Sequence, residues 1–406
     1  MKKILLNMVC RKHYLSSISL VLYLCFVACT DEQVVIETKN WMITYLNTDE
    51  KKKGAMYDFE TTEDFLKNTP ASSLYSPVCS ELNLCLQICA GEYGVSYKNS
   101  SSDYIESLVG VLNVEKEEEK TEECYSANNI YIPLGYSDYE PRISNAYNFK
   151  SYNSSDAKEL LIEHKVWVAE KTKNLLTSSL IEEDFAGSKR IYASILYFKD
   201  IWDEKFVSDY THKLNFTCDN GNVCERMFMA TERTFLYKVF EFKDLKVEVV
   251  AIPYITKHEG TLYKRYMVYL IPSERVEDLS LVWNEFISHT ASDIHSYILR
   301  LKFAEVVLYI PKLEQLEKTL NLSYVLKNTY GNGPAENVQS TMKTKITVDE
   351  MGTEAVSLVE TCCTDGGGRR DTDINIVEAN KPHIAFIYDM SSKRITFVIK
   401  DVGRDN

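Results

Sequence analysis

The chain has 406 residues, 45% of them apolar and 12% aromatic, which is ample for a packed core and excludes intrinsic disorder. A formal charge of −13 argues against a nucleic-acid partner, because phosphate binding calls for a basic surface. After the first thirty residues there is no apolar run of the length a membrane helix needs, so no membrane span is expected and the mature chain should be soluble.

Residues 1–30 read as an export signal, leaving 31–406 as a single domain. Lys2, Lys3, Arg11 and Lys12 make the start positive, Tyr14 to Ala28 is apolar, and small residues precede Asp31 and Glu32. An uncleaved anchor is the alternative, and Phe26 to Cys29 faintly resembles a bacterial lipoprotein box. Export would place the later cysteines in an oxidising compartment, the extracellular space. Sequons at Asn99, Asn153, Asn215 and Asn321 fit a secreted glycoprotein.

In chain order, residues 41–66 open as a helix with a Lys-rich middle. Ser76 as N-cap and Pro77 in the first turn start a buried helix, with Leu82, Leu86 and Cys89 on one face and Cys85 beside them. Cys79, Cys85 and Cys89 on such a helix fit small buried hydrophobes better than metal ligands. Residues 114–123, VEKEEEKTEE, form an acidic solvated run. Arg190 to Phe206 reads as a buried strand rich in Ile, Tyr and Phe. Asn220-Gly221 marks a turn, and a three-residue loop would set Cys218 opposite Cys224, where a disulfide is expected. Strands follow at 247–254, 266–272 and 299–312, then a helix at 316–326.

Strand signals from Thr344 and from Ile374 flank a long apolar-poor segment that contains Gly366-Gly367-Gly368, Arg369 and Arg370. A connection of that length in a domain is functional or disordered. Strands and helices interleave without a βαβ repeat, so the expected class is one large α+β domain, with mixed sheets and packed helices. There is no GxSxG, HExxH, P-loop or strand-borne GxGxxG, and the His residues are scattered, so neither an enzyme, a metal nor a cofactor is expected.

Several strings resemble the serpin family. These are Tyr75-Ser76-Pro77, Ala127-Asn128 before Ile130-Tyr131-Ile132, Trp167-Val168 with Thr172, and Tyr197-Phe198-Lys199 with Trp202 and Phe206. Asp349 to Ala355 (DEMGTEA) and then ANKPHIAFIYD are the most specific. His164, Asn174 and Asp200 depart from the family pattern, which has Ile, Gly and Gly there. The resemblance implies a serpin-like fold with an exposed reactive-centre loop at about 352–379. Its hinge would be Gly352, Thr353, Glu354 and Ala355. The positions of the polar cluster that holds the central sheet's opening would be Ser76, Cys79, Ser194 and Met342. With Ser and Met in place of Asn and His, the implied latch is weakened.

The activity implied is inhibition by suicide substrate. A protease attacks the loop and forms an acyl-enzyme, and the cut loop then enters the main sheet as a strand. Arg369 is the favoured scissile residue and Arg370 the second, which suits a trypsin-like target protease, although a dibasic processing site and a cysteine-protease target remain open. Val356 and Leu358 are bulky for a hinge, and Glu360 must stay on the exposed face. Cys362 and Cys363 would hinder insertion if tied down. Heparin is not expected at the acidic 114–123 run, and a monomer is expected. The alternative reading is a non-inhibitory binding, carrier or chaperone-like member.

Overall fold

The apolar runs become strands, and among the described residues two large sheets and one small hairpin sheet form, with helices packed on the large ones. A computed structural model describes residues 50–89, 123–133, 149–154, 156–188, 191–242, 245–258, 262–321, 341–355 and 375–404. The expected signal at 1–30, Asn99, residues 114–122, Cys362, Cys363, Arg369 and Arg370 lie outside them.

Helix α1 (Glu50–Asn68) leads to strand β1 (Ser73–Tyr75) and helix α2 (Pro77–Cys89). Strands β2 (Glu123–Pro133) and β3 (Phe149–Ser154) precede helices α3 (Ala157–Lys171) and α4 (Glu182–Gly187). Then come β4 (Ile191–Ile201), β5 (His212–Thr217), β6 (Val223–Phe242) and β7 (Leu245–Pro253). A small hairpin, β8 (Lys257–His258) with β9 (Leu262–Tyr263), precedes β10 (Arg265–Pro272). Helices α5 (Leu279–His289) and α6 (Ile294–Leu299) lead into β11 (Lys302–Pro311) and β12 (Leu313–Asn321). The chain ends with β13 (Thr341–Val348), β14 (Gly352–Ala355), β15 (Asn375–Glu378), β16 (His383–Asp389) and β17 (Arg394–Asp401).

Among the described residues the six-stranded sheet has the order β12-β13-β14-β4-β2-β3. The nine-stranded sheet runs β1-β17-β16-β10-β7-β6-β11-β15, with β5 paired to β6. Val78, Leu82 and Cys85 of α2 are buried in a core shared by both sheets, with Phe198, Trp202, Met267, Ile346 and Phe397. The other face of the large sheet packs on α1, α5 and α6 through Phe65, Trp283, Phe286 and Phe386. Strands β16 and β17 are buried at every position, which is why HIAFIYD and RITFVIKD carry no polar alternation.

Residues 316–321 are strand and not the expected helix. The register shifts between Leu313 and Leu316, so a bulge converts an odd spacing into one inward face. Leu313, Leu316 and Leu320 thereby acquire a helix-like spacing without a helix. Asp200, which stands where the family pattern has glycine, lies inside β4 with its side chain buried. Asn174 has φ 63°, the left-handed backbone that favours glycine.

Candidate functional site

Strand β13 ends in a tight reversal. The Asp349 carboxylate accepts from the backbone N–H groups of Met351 (2.9 Å) and Gly352 (3.2 Å), and Asp349 N–H donates to the Gly352 carbonyl at 3.0 Å. The chain therefore returns antiparallel to β13, with Val348 opposite Thr353 and Thr347 opposite Glu354. On its other side β14 pairs with β4, from Gly352 opposite Ile201 to Ala355 opposite Phe198. The hinge expected in an exposed loop is thus a strand of the sheet. Among the described residues, β13 and β4 are joined only through it.

Trp202 holds this reversal from below. Its backbone N–H donates to the Met351 carbonyl at 3.0 Å, and its indole N–H to the Asp349 carbonyl at 2.8 Å. Phe206 N–H donates to the Glu350 carbonyl at 2.9 Å. The Trp202 side chain therefore serves the turn as well as the core, whereas Phe206 reaches the turn through its backbone alone. Gly352 is required by close approach, since a Cβ there would meet the Asp200 carbonyl oxygen.

Neighbouring side chains of β14 point in opposite directions. Thr353 is buried and receives the Tyr254 hydroxyl on Oγ1 at 2.7 Å. Glu354 turns to the opposite face, 3.2 Å from both Lys199 Nζ and the Tyr197 hydroxyl. Burial pushes the Glu354 carboxyl above its usual range, more than these two donors lower it. Glu350 is the contrary case. Burial raises its carboxyl, but its own backbone N–H, the Thr211 hydroxyl and Lys312 together hold it below the usual range. The Thr211 hydroxyl donates to it at 2.8 Å, and Lys312 Nζ lies 3.0 Å away.

Where α2 docks on β4 and β13, Ser76, Cys79, Ser194 and Met342 come together. Ser76 Oγ caps α2 by accepting from Cys79 N–H at 3.3 Å and donates to the Thr396 carbonyl at 2.6 Å. Ser76 N–H points at Met342 Sδ, 3.4 Å away. Burial pushes the Cys79 thiol up to about 12, so it stays protonated and donates to the Ser194 carbonyl at 3.4 Å. Sequence reasoning missed Asn83, whose amide donates to Ser194 Oγ at 3.3 Å and to the Tyr192 carbonyl at 3.2 Å. Its place one turn along α2 from Cys79 was the available signal.

The far end of the expected loop is also a strand: β15 runs parallel to β11, Val306 opposite Asn375. The loop's two ends thus belong to different sheets. Cys224 is opposite Phe216 and not Cys218, because the turn is longer than three residues and Cys218 N–H closes it on the Asn222 carbonyl. Both sulfurs nevertheless share one face, 3.7 Å apart as thiols. Asn215 is exposed on β5, and Asn153 and Asn321 lie on β3 and β12.

Three comparisons bear on this arrangement. A serpin-like protein of fowlpox virus is 26% identical over 320 residues, 74% of this chain and 80% of the viral protein. The native stressed structure of Arabidopsis AtSerpin1 superposes with a TM-score of 0.69 at 18% identity, covering 88% of this chain and 99% of that one. Human thyroxine-binding globulin gives 0.66 at 15% identity, over 88% and all of its chain. The family model described as serpin (serine protease inhibitor) matches residues 92–400. With the hinge string folded between two strands of one sheet and the loop's far end paired in the other, the chain belongs to the serpin family.

Proposed function

We propose that the chain is an exported, monomeric suicide-substrate inhibitor of a trypsin-like serine protease. The observation that carries this is the register of β14. Continuing it along β4 would set Val356 opposite Tyr197, Leu358 opposite Ile195 and Glu360 opposite Ala193. Parity then directs Ser357, Val359 and Thr361 inward with Thr353, and Val356, Leu358 and Glu360 outward with Glu354. The bulk and charge that counted against insertion thus fall away from the core shared by the two sheets, on the face that carries Tyr197, Ile195 and Ala193, and the inward set is small or β-branched. Such a strand can join the sheet without overpacking its core.

The chemistry is one incomplete proteolysis. The protease serine attacks the carbonyl carbon of Arg369, the peptide bond to Arg370 breaks, and an ester forms while the amine leaves as a new N-terminus. Ladder hydrogen bonds gained between β13 and β4 would then draw the acylated protease away. Basic Arg369 supports a target whose pocket holds a carboxylate.

The test is to mix the chain with trypsin and resolve the products on a denaturing gel. A covalent complex that vanishes in Arg369→Ala supports the proposal. Cleavage without a complex sinks it. A second reading, a non-inhibitory binding or carrier protein, is favoured by the replaced latch at Ser194 and Met342 and by the likeness to a globulin whose name states thyroxine binding. It predicts cleavage with no complex and no rise in Tm.

A further inference from the structure

Beneath the hinge lies a buried ionic cluster. Asp200 sits in β4 directly opposite Thr353. Its Oδ1 accepts from the Ile201 backbone N–H at 2.9 Å and from the Thr256 hydroxyl at 3.3 Å. Its Oδ2 lies 3.9 Å from Nη1 of Arg265, a fully buried guanidinium whose Nε is 2.7 Å from Asp389. Arg265 also stands over the Phe198 ring, 5.3 Å from its centroid. A charge is retained in such a place only when partners compensate for lost water.

These contacts converge on one short segment. Thr256 binds the Asp200 carboxylate, Ile255 N–H donates to the Ile201 carbonyl at 2.9 Å, and Tyr254 bridges to Trp202 with rings stacked 4.7 Å apart. Tyr254 N–H donates to the Arg265 carbonyl at 3.1 Å. The Tyr254 hydroxyl, so oriented, donates to Thr353. A closed circuit therefore runs from Asp200 through Thr256 and Tyr254 to Thr353, and back across the ladder to Asp200.

We propose that Asp200 is a positioning residue for the hinge. By gripping Thr256 and facing Arg265, it fixes the segment that presents the Tyr254 hydroxyl to Thr353, and so keeps Gly352–Ala355 seated in the sheet before the loop is cut. The inference rests on the insertion reading for its purpose, since a seated hinge is the first step of insertion. Its test requires no protease.

Hydrogen exchange of the full chain is compared with Asp200→Gly and Asp200→Asn. The glycine variant should exchange the amides of 352–355 roughly tenfold to a hundredfold faster, the loss of a charged hydrogen-bond acceptor read locally. Amides of β16 and β17 should be unchanged. The asparagine variant keeps an acceptor for Thr256 but loses the attraction to Arg265, so it should fall between. Should Asp200→Gly fail to fold, Thr256→Val removes the same contact from the other partner and should give the same local acceleration. Unchanged exchange at 352–355 overturns the proposal, as does equal acceleration in β16 and β17. If the wild-type chain fails to trap trypsin, only the inhibitor reading falls, and the exchange result stands by itself.

Discussion

A Cβ on Gly352 would lie 2.3 Å from the carbonyl oxygen of Asp200 and 2.6 Å from Cα of Ile201. Strand β14 is thus set against β4 at a distance that only hydrogen tolerates. The reason is steric, because Gly352 is not among the residues with positive φ. Gly352→Ala should lift the hinge from β4 at a cost of roughly 1–3 kcal/mol, a typical overpacking penalty. Limited proteolysis with a broad-specificity protease should then cut within 352–355, where the wild type resists.

Glu350 ties the same reversal to the start of β12. Its carboxylate is 3.0 Å from Lys312 and receives the Thr211 hydroxyl. Glu350→Gln should cost about 1 kcal/mol, and Glu350→Lys about twice that, since it sets a like charge beside Lys312 in a partly covered place. A folded-state carboxyl held below its ordinary value stabilises above the unfolded pKa, and that gain is lost as pH falls through the folded value. The difference between wild type and Glu350→Gln should therefore shrink below the ordinary glutamate range, near pH 4.5. Thermal melts at stepped pH check this.

His164 is buried on the inner face of α3 against Tyr131, Phe185 and Trp167, with Nδ1 3.3 Å from the Tyr131 hydroxyl. Burial first, and the Lys165 charge second, bring its pKa down to about 4 from 6.5. The unfolded chain takes up this proton at higher pH than the folded one. Stability is thus complete above pH 6.5 and is lost between 6.5 and 4, by up to ~3 kcal/mol. His164→Ile should flatten that part of the denaturation profile relative to wild type.

The Cys218 and Cys224 sulfurs, 3.7 Å apart, need only a small motion to join under oxidising conditions. Mass mapping of protein recovered from culture medium should find them linked. Cys218→Ser should then lower stability by about 2 kcal/mol, the chain-entropy value for so short a loop. If the two are recovered as thiols, this expectation fails.

How far the site was legible depends on the range of the forces that build it. The reversal in DEMGTEA was legible because its requirements are local: an Asp to close the turn and a glycine where the backbone approaches closely. That Gly352–Ala355 is already in the sheet was not legible, since it rests on pairing Thr353 with Asp200 across some 150 residues of chain. The cluster at Ser76 and Met342 could be placed by motif, whereas Asn83 reaches Ser194 only because α2 docks on β4. Strand β12 was misread for a different reason. Its state depends on pairing with β13 through a bulge, and the segment by itself does not show that partner.

The pairing of β14 with β4 and of β15 with β11 means that the segment between them is a strap joining two sheets. Chain continuity therefore ties the order of β14 to that of β15. Under the inhibition proposed above, a single cut between them would leave each strand held by its own sheet, and the change would be irreversible because the broken peptide bond does not re-form.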